Sequence, residues 1–363
     1  MRAHLGLLLV GLATLTLMGF GQALIGPALP EMTRLFGLAP GEAGALVSAQ
    51  WIGSAVGVAV MYRWSAHVTP RRALGILALG AAGLALQPAW WVVLVSAVVF
   101  GTGYGMATAV FNPRVLRAFG PRGASMLSLL NAAYAAGAIL SPLAFVALGN
   151  TSRIAFGLAV VAYLGICLFA ADRESAGAAP TAQTQTGFRL HWPILCFGAI
   201  GIGTEACLAG LGPTALVATG QSEEAAARLL SAFFVAFLAV RVLLGASAHR
   251  FRSFDIYAAA MVLLVLAALA AIFVAPGPAF VAMGVAAGMF FPGFFVTAIR
   301  KMGEDPRVTP IILGAGLVGG IGMPLLLSML TPVLGPMGFF WLMLAISGPT
   351  TLAALVLAGR MAR

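Results

Sequence analysis

The stretch GAIGIGTEACLAGLGP, from Gly198 to Pro213, carries one charge, Glu205, and the nearest charged residues are Arg189 and Glu223. An ionised carboxylate at the centre of a membrane helix costs about 2.5–3.5 kcal/mol on insertion scales. A carboxyl group kept there takes up and releases a proton, holds a cation, or stays protonated and bonds a backbone carbonyl for packing alone. Intramembrane acids mostly face the bundle interior, so proton coupling or ligand binding is the expectation for Glu205. Glycines at 198, 201, 203, 210 and 212, with Pro213, let this helix bend or leave carbonyls free, as a helix lining a cavity does. A second charge, Arg241, also falls inside an apolar run. It precedes Arg250 by nine residues, roughly 13 Å along a helix. Arg241 therefore either snorkels to the interface or pairs with Glu205 or an anionic ligand group.

The neutral polar residues form a second set. Ser128, Asn131, Tyr134 and Ala138 share one helix face, and Tyr104, Thr108 and Asn112 share another. Gln22, Gln50 and Trp51 join them from the first two apolar runs. Amides beside hydroxyls, with an aromatic ring to stack on, suit a sugar or another neutral polar solute. The same groups serve equally well as interhelical bonds, each worth well under 2 kcal/mol. The glycine clusters, such as Gly101, Gly103 and Gly105, read as close helix contacts rather than binding loops. No nucleotide-binding pattern occurs, and the four histidines (His4, His67, His191, His249) sit at segment ends, where no Ser/His/Asp arrangement assembles. Cys167, Cys196 and Cys207 lack metal-ligand spacing and read as buried packing residues. Neither an enzyme nor a cofactor or metal is expected.

These residues must be held by membrane helices. The 363 residues are 61% hydrophobic and only 8% charged, with a mean hydropathy of +1.03. A soluble surface needs about 25% charge. Continuous apolar runs of this length exclude a β-barrel, whose strands alternate. Twelve segments lie near 5–30, 43–62, 71–88, 91–112, 124–149, 153–171, 192–218, 227–246, 255–274, 279–299, 308–332 and 336–359. Met1–Ala23 has the outline of a secretory signal but reads as the first of these helices. The net charge of +10 comes from short clusters between the apolar runs, not from a patch suited to nucleic acid. With a cytoplasmic N-terminus, the cytoplasmic loops and tails hold sixteen Arg and Lys residues and the opposite loops three. That bias places both termini in the cytoplasm.

The stretch 172–190 has the composition of a flexible tether and divides the chain into an N-terminal six-helix bundle, 1–171, and a C-terminal one, 191–363. The halves echo each other. Ser65–His67 returns at Ser247–His249, Gly26–Pro27 at Gly212–Pro213, Pro113 at Pro292, and Gly137–Pro142 at Gly319–Pro324, with offsets of 179 to 186. Four matches in register argue for a duplication. Carriers built from such repeats place their substrate site near the midplane between the halves.

The runs FGQALIGPALPEMTRLFGL, GTGYGMATAVFNPRVLRAFGPRGASMLSLLNAAYAAGAILSP and GMFFPGFFVTAIRKMGEDPRVTPIILGAGLVGGIGMP resemble the major facilitator superfamily, and within it the fucose:proton symporter family of sugar carriers. The resemblance implies twelve transmembrane helices in two pseudo-symmetric bundles. It also implies a monomer in a bacterial cytoplasmic (inner) membrane that moves a small polar solute by alternating access, with H+ as coupling ion. That superfamily usually carries an aspartate in the loop after the second helix. Here His67 stands in that place, and His249 repeats the departure in the second half, so the two histidines take the position of the cytoplasmic gate. Membrane acids of the N-terminal half, common in proton-coupled sugar carriers, are missing from the first six segments. The expected function is a proton-coupled carrier of a sugar-like solute, with Glu205 as coupling group. The alternatives are an exporter of lipophilic or cationic compounds, in which Glu205 selects the cation, and a passive facilitator. A non-transporting receptor or scaffold has no positive support.

Overall fold

A computed structural model describes residues 2–39, 41–64, 67–170, 189–247, 250–303 and 307–362. Among them are twelve long helices: α1 (Arg2–Phe36), α2 (Gly44–Trp64), α3 (Pro70–Leu86), α4 (Trp90–Ala118), α5 (Gly123–Ala147), α6 (Ser152–Phe169), α7 (Trp192–Ala218), α8 (Glu223–Ser247), α9 (Ser253–Phe273), α10 (Pro276–Met302), α11 (Val308–Leu330) and α12 (Gly338–Ala362). Eleven are long and apolar enough to cross a bilayer. The twelfth, α3, has 17 residues, the short end of what a spanning helix needs, roughly 17–25. The chain is a multi-pass membrane protein.

Local chemistry sets the helix starts. Thr69 caps α3 by accepting from the Arg72 backbone N–H at 3.3 Å, with Pro70 at the first position, where its missing donor does no harm. His191, noted above only as lying at a segment end, caps α7: its Nδ1 accepts from the Ile194 N–H at 3.4 Å. The first helix outruns its apolar stretch. It continues through Pro27 and Pro30 to Phe36, so Glu31 lies within α1, contrary to the expectation that the first six helices hold no acid. That carboxylate has a structural partner. Glu31 Oε2 accepts from the Ser152 N–H at the start of α6 at 2.8 Å, where the helix dipole favours negative charge. Gln87 closes the knot, donating to Ser152 Oγ at 2.8 Å and accepting from Arg153 Nε at 3.3 Å.

The described residues fall into two compact units, one holding those up to 38 and from 45 to 170, the other holding those between 39 and 44 and from 189 on. In the first, α1 packs on α5, and α3 on α4 and α6. A Cβ on Gly19 would strike the Tyr134 carbonyl, and one on Gly137 the Thr16 carbonyl. Gly53 and Gly57 of α2 meet Gly101 and Gly105 of α4 in the same way, backbone on backbone. Small residues hold membrane helices together by this close approach, since lipid supplies no hydrophobic drive between them.

The second unit repeats the scheme: α7 packs on α11, α8 and α9 on α10, and α12 on α9. Gly319 lies against the Ala199 carbonyl as Gly137 does against Thr16, and Gly284 and Gly288 lie against Phe233 and Phe237 as Gly101 and Gly105 lie against Gln50 and Ser54. These packed pairs give an offset of 182 or 183. The proline match in sequence, Pro113 with Pro292, is therefore one turn out of register. Pro113 follows Gly105 by eight residues, whereas Pro292 follows Gly288 by four.

Candidate functional site

Packing register, rather than sequence likeness, identifies the equivalent polar positions. Thr16 corresponds to Ala199, so Gln22, six residues on, corresponds to Glu205. By the same register Tyr134 corresponds to Gly316, and Val58 to Arg241. One ancestral position has become an amide facing a phenol in the first unit and a carboxylate facing a guanidinium in the second.

In the first unit, the Tyr134 hydroxyl of α5 donates to Gln22 Oε1 of α1 at 2.7 Å. The Tyr104 ring of α4 stands edge-on to Tyr134, centroids 6.2 Å apart, a favourable aromatic geometry. Three helices thus bring Gln22, Tyr104 and Tyr134 together. Two turns further along α4, Asn112 keeps a buried Oδ1 with no hydrogen-bond partner among the described residues. One turn before Tyr134, the exposed Asn131 turns its amide to its own helix, donating to the Leu127 carbonyl at 3.1 Å. Gln50 is buried in the α2–α4 contact, and Trp51 is half-buried beside it. Among the described residues, no hydrogen bond joins Gln50 to the Gln22 group and no ring contact joins Trp51 to it.

In the second unit, Arg241 Nη2 of α8 lies 4.0 Å from Glu205 Oε2 of α7, too far for a hydrogen bond. The side chains are 26% exposed for Glu205 and 38% for Arg241, yet Glu205 Oε2 itself is buried and accepts no hydrogen bond among the described residues. Arg241 is held from elsewhere. Its Nε donates to the Gly288 carbonyl of α10 at 3.3 Å, and its guanidinium carbon stands 4.0 Å from the centre of the Phe237 ring. The Gly288 carbonyl is available because its normal helical donor, four residues on, is Pro292, which has no N–H. The arginine is therefore turned inward on a proline-freed carbonyl, and the carboxylate beside it keeps its lone pairs open.

Reading the sequence alone misses Gly288, Pro292 and Phe237. The signal was present as a proline four residues after a helical glycine, which predicts one unsatisfied carbonyl. Of the two gate positions, His67 is exposed and its backbone carbonyl accepts from Arg72 Nη1. His249 lies outside the described residues, as does most of the 172–190 linker.

The two six-helix units repeat one packing scheme, with half-buried polar residues, Gln22 and Glu205, at matching positions. The chain belongs to the Major Facilitator Superfamily, whose model matches residues 11–323. It is a transporter of that superfamily rather than an enzyme. No curated protein matches it by sequence. Solved structures of the same fold include a D-xylose-proton symporter, at 14% identity with 97% of this chain and 96% of that one covered and a TM-score of 0.74. The nucleoside transporter NupG aligns at 14% identity over 97% of this chain and 99% of that one, with a TM-score of 0.76. The E. coli fucose:proton symporter FucP aligns at 17% identity over 98% of each chain, with a TM-score of 0.61.

Proposed function

We propose that this protein is a proton-coupled carrier of a small polar, sugar-like solute, with Glu205 as the coupling group. The observation that carries the reading is the Glu205 carboxylate: a buried oxygen without a hydrogen-bond donor, beside a guanidinium committed to another acceptor. A carboxylate locked in a short bidentate pair with Arg241 would release its partner only at high cost. At 4.0 Å the charges attract, but the oxygen stays open to a proton. When Glu205 takes up that proton, Arg241 keeps its bond to Gly288 and its place over Phe237, so neither group is stranded.

Solute recognition falls to Gln22, Tyr104 and Tyr134, whose amide, hydroxyl and ring faces match the donors, acceptors and apolar face of a sugar ring. Asn112 adds an acceptor, and Gln50, Trp51 and Asn131 complete the proposed polar set. The solved relatives include carriers of xylose, fucose and nucleosides, and two of them are proton symporters by name, which supports both parts of the reading. The bundles 1–171 and 191–363, joined by 172–190, carry out alternating access as a monomer. The protein sits in a bacterial cytoplasmic membrane with both termini and the His67 and His249 loops in the cytoplasm, following the arginine bias. A second reading, export of lipophilic cations, draws on the same open carboxylate acting as counter-ion.

Counterflow in proteoliposomes separates the two. D-xylose, L-fucose and uridine are offered to wild type and to Glu205→Gln, alongside a lipophilic cation. Exchange of a polar solute that survives in Glu205→Gln supports the symporter. Exchange of the cation alone, lost in Glu205→Gln, replaces it with the exporter.

A further inference from the structure

The outer face of the second unit carries a groove unrelated to Glu205. Between α7 and α12 lies a cavity of about 340 Å³, lined by Pro193, Cys196 and Ile200 on one side and Pro349, Ala353 and Leu357 on the other. Helical geometry places its α7 residues roughly 150° around the helix from Glu205. The short side chains of Cys196 and Ala353 and the rings of Pro193 and Pro349 leave the space between the larger Phe197, Ile200 and Leu357. The flanks are exposed and apolar, with Trp192 at 66%, Leu352 at 67% and Val356 at 79%. Such a surface on a membrane-spanning helix faces lipid. From Pro349 to Leu357 the groove runs roughly 12 Å, less than half of a hydrocarbon core of about 30 Å, so it belongs to one leaflet.

Its mouth is basic. Pro193 follows Arg189 by four residues, and Leu357 precedes Arg360 by three. The end of α10 brings two more cations to the same place. Lys301 Nζ donates to the Arg360 carbonyl at 2.7 Å, and the Arg189 N–H donates to the Met302 carbonyl at 3.3 Å. Arg189, Arg300 and Arg360 are exposed there. Glu304 and Asp305, next in the chain, lie outside the described residues. An apolar slot one leaflet deep that opens on clustered cations matches an anionic phospholipid in both charge and length. We propose that this groove holds an acyl chain of one anionic phospholipid, whose head group rests on Arg189, Arg300, Lys301 and Arg360.

Native mass spectrometry of the purified protein in detergent with equimolar phosphatidylglycerol and phosphatidylcholine tests this. Wild type retains one phosphatidylglycerol in preference. The double variant Arg189→Gln/Arg360→Gln lowers that preference roughly thirtyfold, since each basic residue near an anionic lipid surface contributes about a factor of five. Ala353→Trp fills the slot from an exposed position and removes the retained lipid, while Leu355→Trp, exposed on the same helix outside the slot, keeps it. The proposal is overturned if wild type shows no preference for phosphatidylglycerol. It is equally overturned if Ala353→Trp retains the lipid as wild type does.

Discussion

Glu205 and Gln22 hold equivalent places in the two repeats and have been given opposite chemistry. Gln22 has a hydroxyl partner in Tyr134, while the position equivalent to Tyr134 in the second unit is Gly316, which has no side chain to offer Glu205 a hydroxyl. The difference predicts different phenotypes. Tyr134→Phe removes one neutral hydrogen bond, so we expect solute affinity to fall by up to about tenfold with coupling intact, read as KM in counterflow. Glu205→Gln keeps shape and removes the titrating group, so solute exchange continues while accumulation driven by a pH gradient is lost. Glu205 could be singled out in the sequence because a lone acid in an apolar run stands out. Its equivalence to Gln22 could not, because the nearest sequence match on these helices, Gly26–Pro27 with Gly212–Pro213, has an offset of 186 and lies about one turn out of step with the residues that pack.

Prolines and glycines act here through the backbone, and their effects belong to the helices. Pro292 frees the Gly288 carbonyl that holds Arg241. Pro292→Ala restores an N–H to that carbonyl and competes with the arginine. The helix should be as stable as before or more so, yet transport should fall, as it should in Arg241→Gln, the two compared by thermal unfolding and by counterflow. The packing glycines behave differently. A Cβ at Gly319 would run into the Ala199 carbonyl, whereas Gly322, one turn on in α11, has open space around it. Gly319→Ala should therefore lower the unfolding temperature and the yield of folded protein, and Gly322→Ala should leave both unchanged. Apolar run length gave these elements to within a few residues. It stopped short at the ends of α1 and α4; α1 continues past its apolar stretch because Glu31 is satisfied at the start of α6.

The duplication is legible in the whole chain because both units need the same close contacts, α1 on α5 and α7 on α11, α2 on α4 and α8 on α10. Packing demands small residues at fixed spacing, and such spacing survives divergence. Recognition chemistry leaves no such imprint: Val58 and Arg241 share a register position and nothing else. Hence the twelve-helix fold follows from composition and repeats, while the solute follows from a few side chains whose neighbours only folding reveals. The account rests on Glu205 moving a proton with the solute. Proteoliposomes loaded with a pH-sensitive dye and offered monosaccharides measure this directly. Wild type should acidify its lumen as solute enters, and Glu205→Gln should exchange solute with no acidification. Equal acidification by the two proteins would contradict the account, as would wild-type solute entry with none.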